Sequence, residues 1–232
     1  MSQDGLAAFE PAFADELAVI MEWAFAYLQK DGEGDPDERT WLRDETGGSV
    51  YLRLTTNPIE QPGKRLNDDF RQGAIDGAYW LRKPGPNCEV VVAYQGVVAK
   101  EAIKAAGQIA QGRRDVGVLA VTSADRLNAG WTAAQRARAN GIQDAKSHIE
   151  TLLADVSRNC ALITVIDGHP ATLSWLGAVH GHQTIPHGVE HFGQTGTIAE
   201  LYRHFRIDAY ALIQSASELS HGRKISPIAA VG

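Results

Sequence analysis

Only two cysteines, Cys88 and Cys160, occur in 232 residues, too few for a disulfide framework. Each opens an apolar run, CEVVVAY and CALITVI, which predicts buried thiols at strand starts and a reducing, cytoplasmic setting. No apolar run approaches the ~20 residues that span a bilayer. The opening stretch MSQDGLAAFEPAFADE lacks a basic segment followed by an apolar core, so a secretory leader is not expected. Positive charge is scarce too. The net charge is −6 and no dense Lys/Arg run exists, which argues against nucleic acid as a partner. What remains is an ordinary globular composition, 44% hydrophobic and 22% charged, sufficient for a real core.

Residues 14–29 carry Leu17, Ile20, Met21, Ala24, Phe25 and Leu28 at helical spacing, a broad apolar stripe. Pro11 stands near the start of this helix and Gly32 and Gly34 follow its end, as helix boundaries favour. Trp23 and Tyr27 lie off the stripe and read either as ordinary partly exposed aromatics or as a second contact face. The stretch 32–48 is polar and turn-rich. Residues 49–55, SVYLRLT, alternate and predict a strand. NPIEQPGKRLNDD reads as a proline-punctuated crossing segment, so a boundary is expected near residues 57–69, dividing a unit at 1–56 from a domain at 70–232.

Beyond that boundary, apolar strands and helices alternate. Strands are expected at 89–94, 116–121 and 161–166, with a short fourth near Val189. Helices are expected along the face Val98, Ala102, Ala105 and Ile109, then at 131–139 and 144–155. Thr197-Ile-Ala-Glu200 fits a capping box, and Asp208 suits the N-cap of a last helix that Gly222 would end before a loose tail at 225–232. Continuous Val/Ile/Leu strands separated by helices indicate an α/β three-layer sandwich with a mostly parallel sheet.

Three groups of residues are candidates for chemistry. His180, His182, His187 and His191 show spacings that zinc ligands use, although Cys partners are absent and Pro186 makes the run extended; surface or interface histidines are the alternative. Asp167 and His169 follow a strand whose C-terminal end would line a ligand crevice. They read either as an acid/base pair or as a turn in which Asp167 caps the helix near Pro170. Gly193, Gln194, Thr195, Gly196 and Thr197 let backbone approach a ligand at a helix start, where anions bind; the alternative is a plain capped turn. This turn is not G-x-G-x-x-G, and nothing matches G-x-x-x-x-G-K-[ST]. Ser174 has no G-x-S-x-G elbow, and Cys160 is expected to be inert if buried.

Four stretches carry a family resemblance: residues 10–20 (EPAFADELAVI), 49–62 with NPIEQP, 118–130 (VLAVTSADRLNAG) and 192–208 (FGQTGTIAELYRHFRID). Together they resemble the carboxy-terminal portion of a transketolase-like, thiamine-diphosphate-dependent enzyme. The nearest similarity is to the homodimeric decarboxylase component of the pyruvate dehydrogenase complex. The resemblance implies a helix and strand from the end of a pyrimidine-binding middle domain, followed by the complete carboxy-terminal domain. In the intact enzyme it implies thiamine diphosphate and magnesium, a second copy in a dimer, and a lipoyl-bearing acyltransferase as partner. The reaction implied is decarboxylation of a 2-oxo acid followed by reductive acylation of the lipoyl group. The family's Gly-Asp-Gly…Asn motif is not present here, and the histidines at 169–191 do not occupy the family's substrate-binding position. No cofactor and no catalytic residue are therefore expected on this chain alone, and its role is expected to be structural and dimer-forming.

Overall fold

The computed structural model describes residues 5–30, 46–63, 67–112 and 115–221. Gly32, Gly34, Gly222, most of the stretch 32–48 and the tail at 225–232 lie outside them. The chain begins with strand β1 (Leu6–Phe9), helix α1 (Ala14–Leu28) and strand β2 (Ser49–Leu52). β1 and β2 pair in parallel, Leu6 opposite Ser49 and Phe9 opposite Leu52. Ala7, Phe9, Ile20 and Tyr27 form a small core beneath them.

The remainder follows in order: α2 (Asp68–Asp76), β3 (Ala78–Arg82), β4 (Cys88–Gln95), α3 (Ala99–Gln111), β5 (Asp115–Val121), α4 (Ala124–Ala139), α5 (His148–Leu153), β6 (Ala161–Ile166), α6 (Ala171–Ser174), β7 (Thr184–His187), α7 (Ile198–His204) and α8 (Ala209–His221). Five strands make one sheet in the order β3-β5-β4-β6-β7. All neighbours are parallel except β3, which runs antiparallel to β5 at the edge.

Strand pleating divides the core in two. Val90, Val92 and Tyr94 face one layer with Phe13, Val19, Ala102, Ile109, Ile163 and Leu212. Val91 and Ala93 face the other with Leu127, Ile149, Leu153, Leu162 and Leu176. The central strands are covered on both faces, which is why they read as unbroken apolar runs. α3 buries Ala99, Ala102, Ala105, Ala106 and Ile109, the face that the sequence spacing predicts.

α1 departs from its predicted stripe. It buries Glu16, Val19, Ile20, Ala24 and Tyr27, while Phe25 and Leu28 are exposed. Two clusters cover this helix from different sides, so its buried surface is set by both. Val19 enters the larger core. Tyr27 stacks on Trp23 at 4.6 Å, and Trp23 meets Phe9 edge-on at 5.5 Å. The Arg126 guanidinium sits 4.7 Å above the Trp23 ring, a cation–π contact that ties the amino-terminal unit to α4.

Candidate functional site

Two pairs of adjacent parallel strand ends meet at one place. Phe9 and Leu52 are opposite each other at the ends of β1 and β2, so the next residues, Glu10 and Arg53, are also side by side. Gln95 and Ile166 are opposite each other at the ends of β4 and β6, which sets Gln95 next to Asp167. Connections from β4 leave first toward β5 and then return past β4 to β6. That reversal marks the crevice where open α/β sheets bind ligands.

In this chain Glu10 and Arg53 occupy that crevice. Gln95 Nε2 donates to Glu10 Oε2 at 3.1 Å, and Arg53 Nη1 donates to Glu10 Oε1 at 2.7 Å and to the Asp167 carbonyl at 2.6 Å. Arg53 Nη2 lies 3.4 Å from Asp167 Oδ2. Backbone docking holds the arrangement: Glu10 N–H donates to the Thr122 carbonyl at 2.7 Å, and Ser123 Oγ donates to the Ala8 carbonyl at 2.6 Å. Gly96, at φ +68°, is required beneath Glu10, because a Cβ there would run into the carboxylate as well as strain the turn. Burial pushes the Glu10 carboxyl above its ordinary value, against the opposing pull of Arg53 and the Gln95 amide; Asp167 adds to the rise.

A cleft of about 380 Å³ opens beside this cluster, lined by Val97, Val189, Phe192, Leu201, Tyr202 and Phe205 among others. The Tyr202 phenol is pushed up to about 12, chiefly by burial and then by Asp167 and Glu101, so it is a neutral donor or acceptor there.

Of the candidates from sequence, Asp167 is in the cleft and His169 is not among its lining residues. Asp167 receives Arg53, whereas exposed His169 accepts from the Ala171 N–H through Nδ1 at 3.2 Å. Gly193, Gln194, Thr195, Gly196 and Thr197 are all exposed. Glu200 Oε2 accepts from Thr197 N–H at 2.8 Å and Oγ1 at 2.9 Å. The chain's own carboxylate thus sits at the start of α7, a helix of seven residues.

The histidines are separated. His180 Nε2 is 3.1 Å from the Glu150 carbonyl, and His182 Nδ1 is 3.0 Å from that of Cys160. His187 bridges the turn after α7 to α8, with Nδ1 at 2.7 Å from the Arg206 carbonyl and Nε2 at 3.0 Å from Ser215 Oγ. His191 is exposed. Among the described residues no three His, Cys, Asp or Glu side chains converge as metal ligands. Val189, expected on a strand, lies just past β7 and donates its N–H to Gly168 at 2.7 Å.

Burial lowers the His187 imidazole below its ordinary 6.5, against the Arg206 carbonyl bond. A lowered value means that the neutral ring's contribution is complete above 6.5 and is lost as pH falls through the folded-state value. The melting temperature should therefore drop as pH falls from 6.5 toward the lowered folded-state value, and His187→Gln should shrink the drop. An undiminished acid drop in the variant would remove His187 as its source.

Neither a protein-family model nor a curated protein matches the sequence. Solved structures do. Transketolase from Leishmania mexicana superposes with a TM-score of 0.64 at 15% identity, covering 97% of this chain and 27% of its own. The fold is transketolase-like. A transketolase mutant from Pichia stipitis gives 0.61 at 15% identity over 96% of this chain and 26% of its own. A split-gene transketolase, described as an inactive beta4 tetramer, gives 0.56 at 15% identity over 94% and 58%. This chain spans about a quarter of the first two transketolases. It corresponds in architecture to the transketolase carboxy-terminal domain with its parallel sheet flanked by helices.

Asp167 and Glu10 share Arg53, and Glu200 accepts at the start of α7. The orphaned buried acceptor at the crevice, Gln95 Oε1, calls for a donor rather than an anion.

Proposed function

We propose that the chain is the assembly and supporting portion of a thiamine-diphosphate-dependent enzyme, specifically the decarboxylase component of a 2-oxo-acid dehydrogenase, with pyruvate as the default substrate. One observation carries the reading. At the crevice where a parallel sheet would hold a ligand, Arg53 is shared by the chain's own Glu10 and Asp167, all three lining the cleft, so this portion braces a site whose cofactor is bound elsewhere. The FGQTGTIAELYRHFRID stretch and the transketolase-like fold support the choice of enzyme class. Exposed Phe25 and Leu28 on α1, with Tyr51, Leu54 and Phe192, are apolar surfaces suited to a second copy and to the remaining domains. A lipoyl-bearing acyltransferase is the downstream partner of the intact assembly. No described helix is long and apolar enough to cross a membrane.

The purified chain, given thiamine diphosphate, magnesium and pyruvate, should release no carbon dioxide; measurable turnover overturns the supporting role. Adding a separately expressed amino-terminal thiamine-diphosphate-binding chain should restore decarboxylation of pyruvate, 2-oxobutanoate or a branched 2-oxo acid. Restored transfer from ketose phosphates, with none from 2-oxo acids, would overturn the dehydrogenase assignment.

A further inference from the structure

Cys88 and Cys160 lie 72 positions apart in sequence, yet their sulfurs are 3.5 Å apart. Cys88 opens β4 and Cys160 immediately precedes β6, and the two strands are parallel neighbours. Regular pleating would place Cys88 on the Val90 face, away from Cys160. A register irregularity between Cys88 and Val90 instead delivers Cys88 to the Val91 face, where it joins Cys160. The Val90–Ala161 register makes the two cysteines diagonal neighbours, one residue out of register. Parallel neighbours at a strand separation of ~4.8 Å lie within the Cα range that disulfides span.

We propose that Cys88 and Cys160 are a redox dithiol that a hydroperoxide converts to an intramolecular disulfide, stapling the starts of β4 and β6. The thiols are buried, but each is one step inside an exposed turn: Pro86 and Asn87 precede Cys88, and Ser157, Arg158 and Asn159 precede Cys160. Fraying at those strand starts admits a molecule as small as hydrogen peroxide. The Cys160 thiol donates to Cys88 Sγ, which holds the Cys88 thiol below its usual range against the effect of burial. Cys88 is therefore the nucleophile.

Its thiolate attacks one peroxide oxygen, the O–O bond breaks, and the departing hydroxide takes a proton to become water. Cys88 is then a sulfenic acid. Cys160 sulfur attacks Cys88 sulfur, the S–O bond breaks, and the leaving hydroxide departs as water with the Cys160 proton. Two thiols and one peroxide yield one disulfide and two waters. A dithiol reductant reverses the change.

The test treats the native chain with hydrogen peroxide, quenches it, then denatures it in iodoacetamide for intact-mass and peptide analysis. Untreated protein should take two alkyl groups, one on each cysteine thiol. Treated protein should take none, weigh two hydrogens less, and give a linked Cys88–Cys160 peptide; dithiothreitol should restore both alkylations. Cys88→Ser and Cys160→Ser should each abolish the loss of two hydrogens. If either variant fails to fold, the wild-type linked peptide still decides the matter. Two alkylatable thiols after treatment, oxygen addition without a link, or a link between two chains would each overturn the proposal.

Discussion

Replacing Glu16 with alanine should cost about 3–5 kcal/mol of folding stability, because three donors lose their acceptor at about 1–3 kcal/mol each when buried. Glu16 is 1% exposed. Its Oε2 accepts from the Ala12 and Phe13 N–H groups at 2.6 and 2.9 Å, and its Oε1 accepts from the Tyr79 hydroxyl at 2.5 Å. The first two are donors that the start of α1 would otherwise leave unsatisfied. The third fastens α1 to the edge strand β3, where burial and the Glu16 carboxylate raise the Tyr79 phenol far above its ordinary value. Glu16→Gln isolates the effect. Its amide oxygen can face the two backbone donors while its NH₂ donates to the Tyr79 oxygen, so the charge and the acceptor for the Tyr79 hydroxyl are lost and a deficit of about 1–2 kcal/mol is expected. In urea the alanine variant's midpoint should fall by about 1–2 M, with the glutamine variant between it and the wild type. Equal loss in both variants would mean that the charge matters, rather than the acceptors.

Glu16 also shows where sequence reading stops. In the first turn of a helix an acidic residue reads as a solvated helix-start charge, and its partner Tyr79 is 63 positions away. The central strands were legible because burial on both faces leaves continuous Val/Ile/Leu runs, and α3 because one face alone is apolar. β1 was not, since LAAF is too short to establish a period. α2 and β3 escaped because α2 buries only Phe70, Gly73 and Ala74, and β3 lies at the antiparallel edge. Gly77, in the left-handed region at φ +107°, is the turn signal that separates them.

The candidate site was legible in part for a similar reason. Asp167 could be placed at a strand exit from local sequence. Glu10 and Arg53 could not, because their adjacency follows from the β1–β2 register and their position over β4 from long-range docking at Thr122 and Ser123. Histidine density at 180–191 is a local property, but strand β7 and the turn before it send those rings to different partners. The cysteine pair is hidden further, behind a single irregularity in strand register.

Removing Arg53 should cost about 1–3 kcal/mol at neutral pH, less than the 3–5 kcal/mol typical of breaking a fully buried pair, because its side chain is 45% exposed and partly screened. What the variant leaves behind sets the sign of its pH dependence. Glu10, with a side chain only 10% exposed, keeps its burial and its repulsion from Asp167 but loses the cation that opposed them. Its folded-state value is already above the ordinary 4.5, and it should rise further. For a raised carboxyl, the stabilising contribution is complete below the unfolded value and is lost as pH increases through the folded one. The deficit of Arg53→Ala should therefore be small at pH 4 to 4.5 and should widen toward neutrality. Glu10→Gln in the same chain should flatten that curve and recover part of the loss, since the amide oxygen can still accept from Gln95. Arg71→Ala is the control: Arg71 meets Glu22 at the similar distance of 2.8 Å, but Glu22 is 71% exposed, so a loss of at most about 1 kcal/mol is expected. A pH-independent deficit for Arg53→Ala, or one no larger than the control's, would mean that Arg53 does not hold the buried Glu10 carboxylate in the crevice. The supporting role would then lose the observation it rests on, since Glu10, Arg53 and Asp167 would no longer be held on one another at the ends of β4 and β6, where this fold would place a ligand.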